Sequence, residues 1–329
     1  MRVNYSQAMA RAVQESLQAD PKVFLIGSTF AGLSAAGRAA FAPVVQEFAG
    51  RIVAAPVSEL GLVGAAIGAA MSGSRPLMDV GAGSFAFQAW AQIANEAPNI
   101  HYMGGGQTSV PVTFYCLIGI RGGGAAQHSH RIQSMLGNVP GLQLLMPATP
   151  ADAYGMLKWA LQESENPTVF LSHSQLLEDE QDVDFSAPML PIGKARVTRE
   201  GRDLTIVAHS VMVRQALSAA DLLTRQHGVG AEVVDMRTLC PLDRETLVRS
   251  VAKTGRAVVA DECHLSFGAG AELAATLAQD AFAHLKAPVV RVATPDAPIP
   301  YSPGLESALM VTPEKIAAGA LAILEFRKP

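Results

Sequence analysis

The chain has 329 residues, a formal net charge of -4, 49% hydrophobic and 16% charged residues, and a mean hydropathy of +0.23. It has no basic stripe and no run of Lys or Arg, so a nucleic-acid partner is not expected. The three cysteines, Cys116, Cys240 and Cys263, form no CxxC; a reducing cytoplasm is expected rather than a disulfide framework.

The N-terminal residues 1–21 are amphipathic and lack the apolar run of a signal peptide. Short apolar runs then predict buried parallel strands at Val23–Ile26, Ile52–Ala55, Pro76–Val80, Val110–Leu117, Leu142–Pro147 and Thr168–His173. Helical patterns at Ala35–Phe48, Glu59–Ser72, Ala86–Ala97 and Ala151–Ser164 lie between them. The stretch around residues 178–191 is acidic, then proline-bearing, without either period. It is expected to join a first domain, residues 1–180, through a linker at 181–191 to a second domain at 192–329. There the alternation resumes, with strands predicted at Leu204–Ala208, Glu232–Met236, Ala257–Ala260 and Val289–Ala293. Helices are predicted at Val211–Gln226, Asp243–Thr254, Ala271–Leu285 and Pro313–Phe326. The fold class is therefore α/β: two α/β domains with mostly parallel sheets. The longest apolar stretch, Leu60–Met71, is too short to span a bilayer, which takes roughly 20 residues.

Three segments offer chemistry. Ser58 is a good N-cap, Glu59 opens a helix, and the helix is apolar all round, so burial is expected. Glu59 is then either a carboxylate that complements the helix dipole or, in a poorly solvated setting, a proton exchanger. Phe85, at a loop-to-helix junction, can stack on a flat ligand, whereas Phe87 and Trp90 read as core. The glycine-rich stretch Gly119–His130 belongs in a crevice at strand ends. Its His128 is either a solvated loop histidine or a proton donor. His128 and His130 stand at i, i+2, yet no HExxH or Cys/His/carboxylate cluster completes a metal site. Phe267–Ala274 mimics a dinucleotide-binding turn and is read as a loop entering a helix. No GxSxG elbow occurs.

Taken together, Pro56-Val57-Ser58-Glu59, Gly64–Gly68, Phe85, Gln88 and Gln127-His128-Ser129 resemble the beta subunits of the 2-oxo acid dehydrogenase decarboxylases. These are the pyruvate, branched-chain and acetoin dehydrogenase beta chains of the transketolase-like superfamily. The resemblance continues through Pro147–Ala153, Asn166–Phe170, Ile192–Ala195, Asp235–Leu239, Lys253–Arg256 and Pro300-Tyr301, so it covers essentially the whole chain. It departs from the family pattern at Ser28-Thr29, Ala91, Pro98, Gly122–Gly124 and His130, which bears on the substrate more than on the cofactor.

The resemblance implies a pyrimidine-type thiamine-diphosphate-binding fold followed by a transketolase C-terminal-like domain. It implies thiamine diphosphate bound between subunits. Glu59 would hydrogen-bond the aminopyrimidine ring and activate the cofactor. Phe85 would stack on that ring, Val57 and Gln88 would lie near it, and His128 would assist proton movement and acyl transfer to a lipoyl group. In the family an alpha subunit holds the diphosphate and its Mg through a Gly-Asp-Gly segment. None occurs here, so no metal site of its own is expected in this chain. The expected assembly is an alpha2-beta2 heterotetramer, with a lipoyl acyltransferase as a further partner. The expected activity is decarboxylation of a 2-oxo acid with acyl transfer to a lipoyl carrier. The alternatives are a split transketolase-like or acyloin-forming thiamine enzyme subunit, or a noncatalytic assembly partner.

Overall fold

The computed structural model describes residues 1–27 and 35–326; Ser28 and Thr29 lie outside them. By packing, the chain divides into a first unit, Met1–Arg121 with Gln127–Leu190, and a second, Gly122–Ala126 with Pro191–Pro329.

The first unit runs β1 (Arg2–Asn4), α1 (Tyr5–Ala19), β2 (Val23–Gly27), α2 (Ala35–Glu47), β3 (Ile52–Ala54), α3 (Glu59–Met71), β4 (Arg75–Ala82), α4 (Ala97–Met103) and β5 (Thr113–Ile118). After the short α5 (Ala125–His128) it continues with α6 (Gln133–Gly137), β6 (Gln143–Leu145), α7 (Pro150–Gln162), β7 (Thr168–His173) and β8 (Glu180–Asp182). Its main sheet has the order β6-β7-β5-β4-β2-β3, parallel throughout. Every residue of β4, β5 and β7 is buried, as expected of strands covered on both faces. The strand expected from Val110 starts only at Thr113. Pro111 has no N–H to give a ladder, and Val112 N–H instead turns back to Val110 O at 2.8 Å.

Local signals set the helices. Asn4 and Gln7 form a reciprocal capping box at α1, and Thr149 with Pro150 opens α7. Helices α1 and α7 pack together around Glu15, whose carboxylate accepts from Lys158 Nζ (2.6 Å), Tyr154 OH (2.6 Å) and Arg11 Nε (2.8 Å). Partial burial penalises its charge, but the three donors outweigh that and lower the Glu15 pKa to about 2. A carboxyl depressed on folding contributes stability that is present above its unfolded pKa, roughly 4.3, and is lost as pH falls toward 2. Glu15→Gln is therefore expected to destabilise by about 1 kcal/mol or less at pH 7, because solvent screens these groups. The deficit should close between about pH 4 and pH 2. Denaturant midpoints across that range check this, and a deficit independent of pH would assign Glu15 to packing alone.

Two expectations for this unit are corrected. The helix expected at Ala86–Ala97 is a 3-10 segment at Gly83–Ala89 and a π-turn at Gln92–Glu96, continued by α4. Pro98 cannot donate and its ring crowds the carbonyl four residues back, so the ladder widens and Ala97 N–H reaches Gln92 O. Helix α3 is not buried all round: Val63, Ala66, Ile67 and Ala70 are buried, while Leu60 is 55% exposed. Its uniform composition hid a one-sided placement. Strand β8 pairs with β1 as Arg2↔Asp182 and Asn4↔Glu180.

The second unit contains β9 (Arg196–Arg199), β10 (Leu204–Ala208), α8 (Val211–His227), β11 (Ala231–Asp235), β12 (Thr238–Cys240), α9 (Arg244–Thr254), β13 (Ala257–His264), α10 (Ala269–Asp280), β14 (Val290–Thr294), α11 (Pro303–Leu309) and α12 (Pro313–Glu325). Its sheet has the order β14-β13-β10-β11-β9, parallel except for the antiparallel edge strand β9. Gly228 and Gly255 close α8 and α9 in the left-handed conformation. By length and hydropathy, Pro303–Glu325 is apolar enough to cross a membrane. It is two helices, however, broken at Met310, and α12 buries Ile316, Ala317, Ala320 and Ile323 against its own unit.

Candidate active site

Strands β3 and β4 are both parallel to β2, and β5 is parallel to β4, so the segments that follow them emerge along one edge of the first unit's sheet. The first leads to Glu59, the second carries Phe85 and Gln88, and the third is the glycine-rich stretch leading to His128. Ligands in open α/β sheets bind at this carboxyl edge.

The segments meet. A Cβ on Gly83 would come within 3.0 Å of Ile118 Cγ2 and 3.4 Å of His130 O, so a larger residue would push the second and third segments apart. Gly64 of α3 faces Gln92. Phe85 lies edge-on to His128 at 5.5 Å between ring centroids, and Phe87 lies edge-on to His130 at 5.2 Å. Phe87 is thus a partly exposed wall of this region, not core as its aromatic character suggested. Trp90 packs against it, also edge-on.

Glu59 is half-buried and has no hydrogen-bond or ion-pair partner among the described residues. Ser58 holds the N-cap position, yet its hydroxyl makes no cap bond. On the second and third segments and the residues that follow them, the buried side-chain atoms Ser84 Oγ, Gln92 Oε1, His128 Nδ1, Ser129 Oγ and Gln133 Oε1 lack partners. Buried polar atoms are nearly always paired, so these five are candidates to receive polar groups from outside the chain. Val57 is 70% exposed and Gln88 is exposed.

Other candidates hold no chemistry. The glycine turn before α10 is tied by a carboxylate: Gly270 N–H donates to Asp261 Oδ2 at 2.6 Å, and Cys263 N–H to Oδ1 at 2.9 Å. Burial penalises the Asp261 charge, but His209, 3.3 Å away, and these N–H groups outweigh it and hold the pKa low. An anionic phosphate would meet that carboxylate, so the turn is a packed corner. A cavity of about 340 Å³ opens at the opposite edge of the first unit's sheet, near Asp20, Lys22, Arg75 and Glu165. Arg75 there is already bound to Leu161 O, Ser164 O and Glu165. Among the described residues no group of three or more His, Cys, Asp or Glu is placed to hold a metal ion.

The sequence matches the transketolase pyrimidine-binding domain over residues 1–180 and the transketolase C-terminal domain over residues 193–316. It is 36% identical over 334 residues to the mitochondrial pyruvate dehydrogenase E1 component subunit beta of Dictyostelium discoideum, covering 99% of this chain and 92% of that protein. The chain belongs to the beta-subunit family of thiamine-diphosphate-dependent 2-oxo acid dehydrogenases. A second family member, the acetoin:2,6-dichlorophenolindophenol oxidoreductase subunit beta of Cupriavidus necator, is 36% identical over 322 residues, 95% of each chain. Among solved structures, a split-gene transketolase described as an inactive beta4 tetramer matches with a TM-score of 0.80, 27% identity and 99% coverage of both chains. The family resemblance and the two-domain α/β fold expected from the sequence hold. Two features of this beta chain's site escaped the sequence reading: the unpartnered Gln92 and the role of Gly83. Gln92 carried no signal, because its burial depends on the π-turn.

Proposed function

We propose that this chain is the beta half of a decarboxylase that acts on a 2-oxo acid, passes the acyl group to a lipoyl carrier, and works only with an alpha chain. The observation that carries this reading is the meeting of Phe85 and His128 at the carboxyl edge, among buried polar atoms without partners, with a free Glu59 opening the neighbouring helix. These donors and acceptors, beside an aromatic edge, fit an aminopyrimidine ring. Bound there, thiamine diphosphate supplies the electron sink that decarboxylation requires. Val57, Phe85 and Gln88 would line the ring, and the Glu59 carboxylate would hold the proton shared with a ring nitrogen. His128 Nδ1 would move a proton during acyl transfer; Phe85 edge-on fixes its ring plane and excludes water.

The chain has no Gly-Asp-Gly segment, so the diphosphate and Mg fall to the alpha partner. The exposed apolar side of α3, with Leu60 and Met71, fits coverage by that partner, and an alpha2-beta2 heterotetramer follows. A lipoyl acyltransferase would take the product. The three cysteines form no CxxC, in keeping with a reducing cytoplasm. The likeness to a split-gene transketolase supports a second reading, ketol transfer to an aldehyde.

Gentle purification of the tagged chain from its native cell tests the proposal. A second chain carrying Gly-Asp-Gly, with bound thiamine diphosphate and 2-oxo acid decarboxylation, is the expected result. Turnover of ketose and aldehyde instead would favour ketol transfer. Tight binding of thiamine diphosphate and Mg by this chain alone would overturn the half-enzyme reading.

A further inference from the structure

We infer that Glu306 is a positioning residue: its carboxylate pins the glycine-rich segment that leads to His128. Gly122 N–H donates to Glu306 Oε1 at 2.8 Å and Gly123 N–H donates to Oε2 at 2.9 Å. Both glycines are left-handed, with φ of +73° and +79°, so two successive amides turn to one side and form a concavity suited to an anion. Here the chain fills that concavity itself. Glu306 is 4% exposed, and both of its oxygens are engaged.

Three consecutive glycines, Gly122–Gly124, form the most conformationally free kind of backbone, and His128 follows only four residues after them. Gly122–Ala126 count with the second unit by packing, as does Glu306, whereas Gln127 onward counts with the first. The Glu306 carboxylate thus fixes the start of the segment whose end carries the imidazole. A side chain at Gly123 would also meet the Tyr301 ring at 3.6 Å, so the glycine allows the close approach the clamp needs. Charge-assisted bonds to two amides hold more firmly than neutral ones.

The inference rests on the reading of His128 given above, and the test separates the two. In the complex assembled with its partner, Glu306→Ala, Glu306→Gln, His128→Ala and the double variant Glu306→Ala/His128→Ala are compared. The readouts are amide hydrogen exchange over residues 119–131 and turnover of the 2-oxo acid. Glu306→Ala is expected to speed exchange at residues 122–128 and to lower kcat by about tenfold to a hundredfold, a cost typical of misplacement, with KM changed less than about twofold. The kcat loss should vanish in the His128→Ala background. Glu306→Gln, which keeps the volume and one acceptor oxygen, should fall between the two and serves if the alanine variant does not assemble. Unchanged exchange, or losses that add with His128→Ala, would overturn the inference. Full activity of His128→Ala would remove the reading of His128 and with it the positioning role, while the exchange result would still report whether the clamp orders the loop.

Discussion

Glu59→Gln in the assembled complex is expected to lower turnover by at least about tenfold, and by up to 10²–10⁴, the usual contribution of a general acid–base group. The substitution keeps the volume and a hydrogen-bonding capacity but cannot take up a proton. Glu59 begins α3 with no partner among the described residues, and Ser58 leaves it uncapped, so the amide should disturb neither the helix start nor a salt bridge. Stability is therefore expected to change by no more than about 0.5 kcal/mol, as for a substitution away from buried networks. Steady-state kinetics and a thermal melt on the same preparation check both halves. Unchanged turnover would leave Glu59 as a first-turn charge that complements the helix dipole.

Gly119→Ala should be among the most damaging single changes in the first unit. Gly119 follows β5 at φ +94°, a conformation costly for any L side chain. A Cβ there would land on the His173 imidazole. His173 is fully buried, and its Nδ1 accepts from Gln175 N at 3.1 Å, so the ring cannot swing aside. Backbone strain and overpacking together are expected to cost about 3–5 kcal/mol. Denaturant unfolding measures this. Adding His173→Ala should return the overpacking part and leave the backbone part. A neutral Gly119→Ala would mean that the turn relaxes.

The sheet strands of both units were largely legible in the sequence. The runs at Thr168–His173 and Leu204–Ala208 coincide with β7 and β10, because strands buried on both faces are uninterrupted apolar segments. Strand β9 was not foreseen. Arg196-Val197-Thr198-Arg199 carries charge at both ends, as edge strands do to avoid further pairing, and an edge strand lacks the apolar run by which its neighbours were found. The burial of α3 was misjudged, since a helix of Leu, Val, Ala and Gly looks the same whether its second face meets its own chain or another. For the candidate site, residue types and order pointed to Glu59, Phe85 and His128. The edge-on pairing of Phe85 with His128 was beyond reach, since it depends on where two loops meet in space. Glu306 was illegible for the same reason: it acts on backbone amides 183 and 184 residues away in sequence, and no local pattern announces such a bond.

The π-turn at Gln92–Glu96 bears on how this region could have arisen. A π-turn holds one residue more than the α-helical turn it replaces, so it amounts to a single insertion absorbed without breaking the helix. Each helical residue turns the chain by about 100°. Removing one residue from Gln92–Glu96 would rotate everything upstream by that angle about the axis. Gln92 would leave Gly64, and Phe85 would leave His128. The aim of the aromatic wall is thus set by chain length as well as by residue identity, and one codon gained or lost there would re-point it while every other side chain stayed the same.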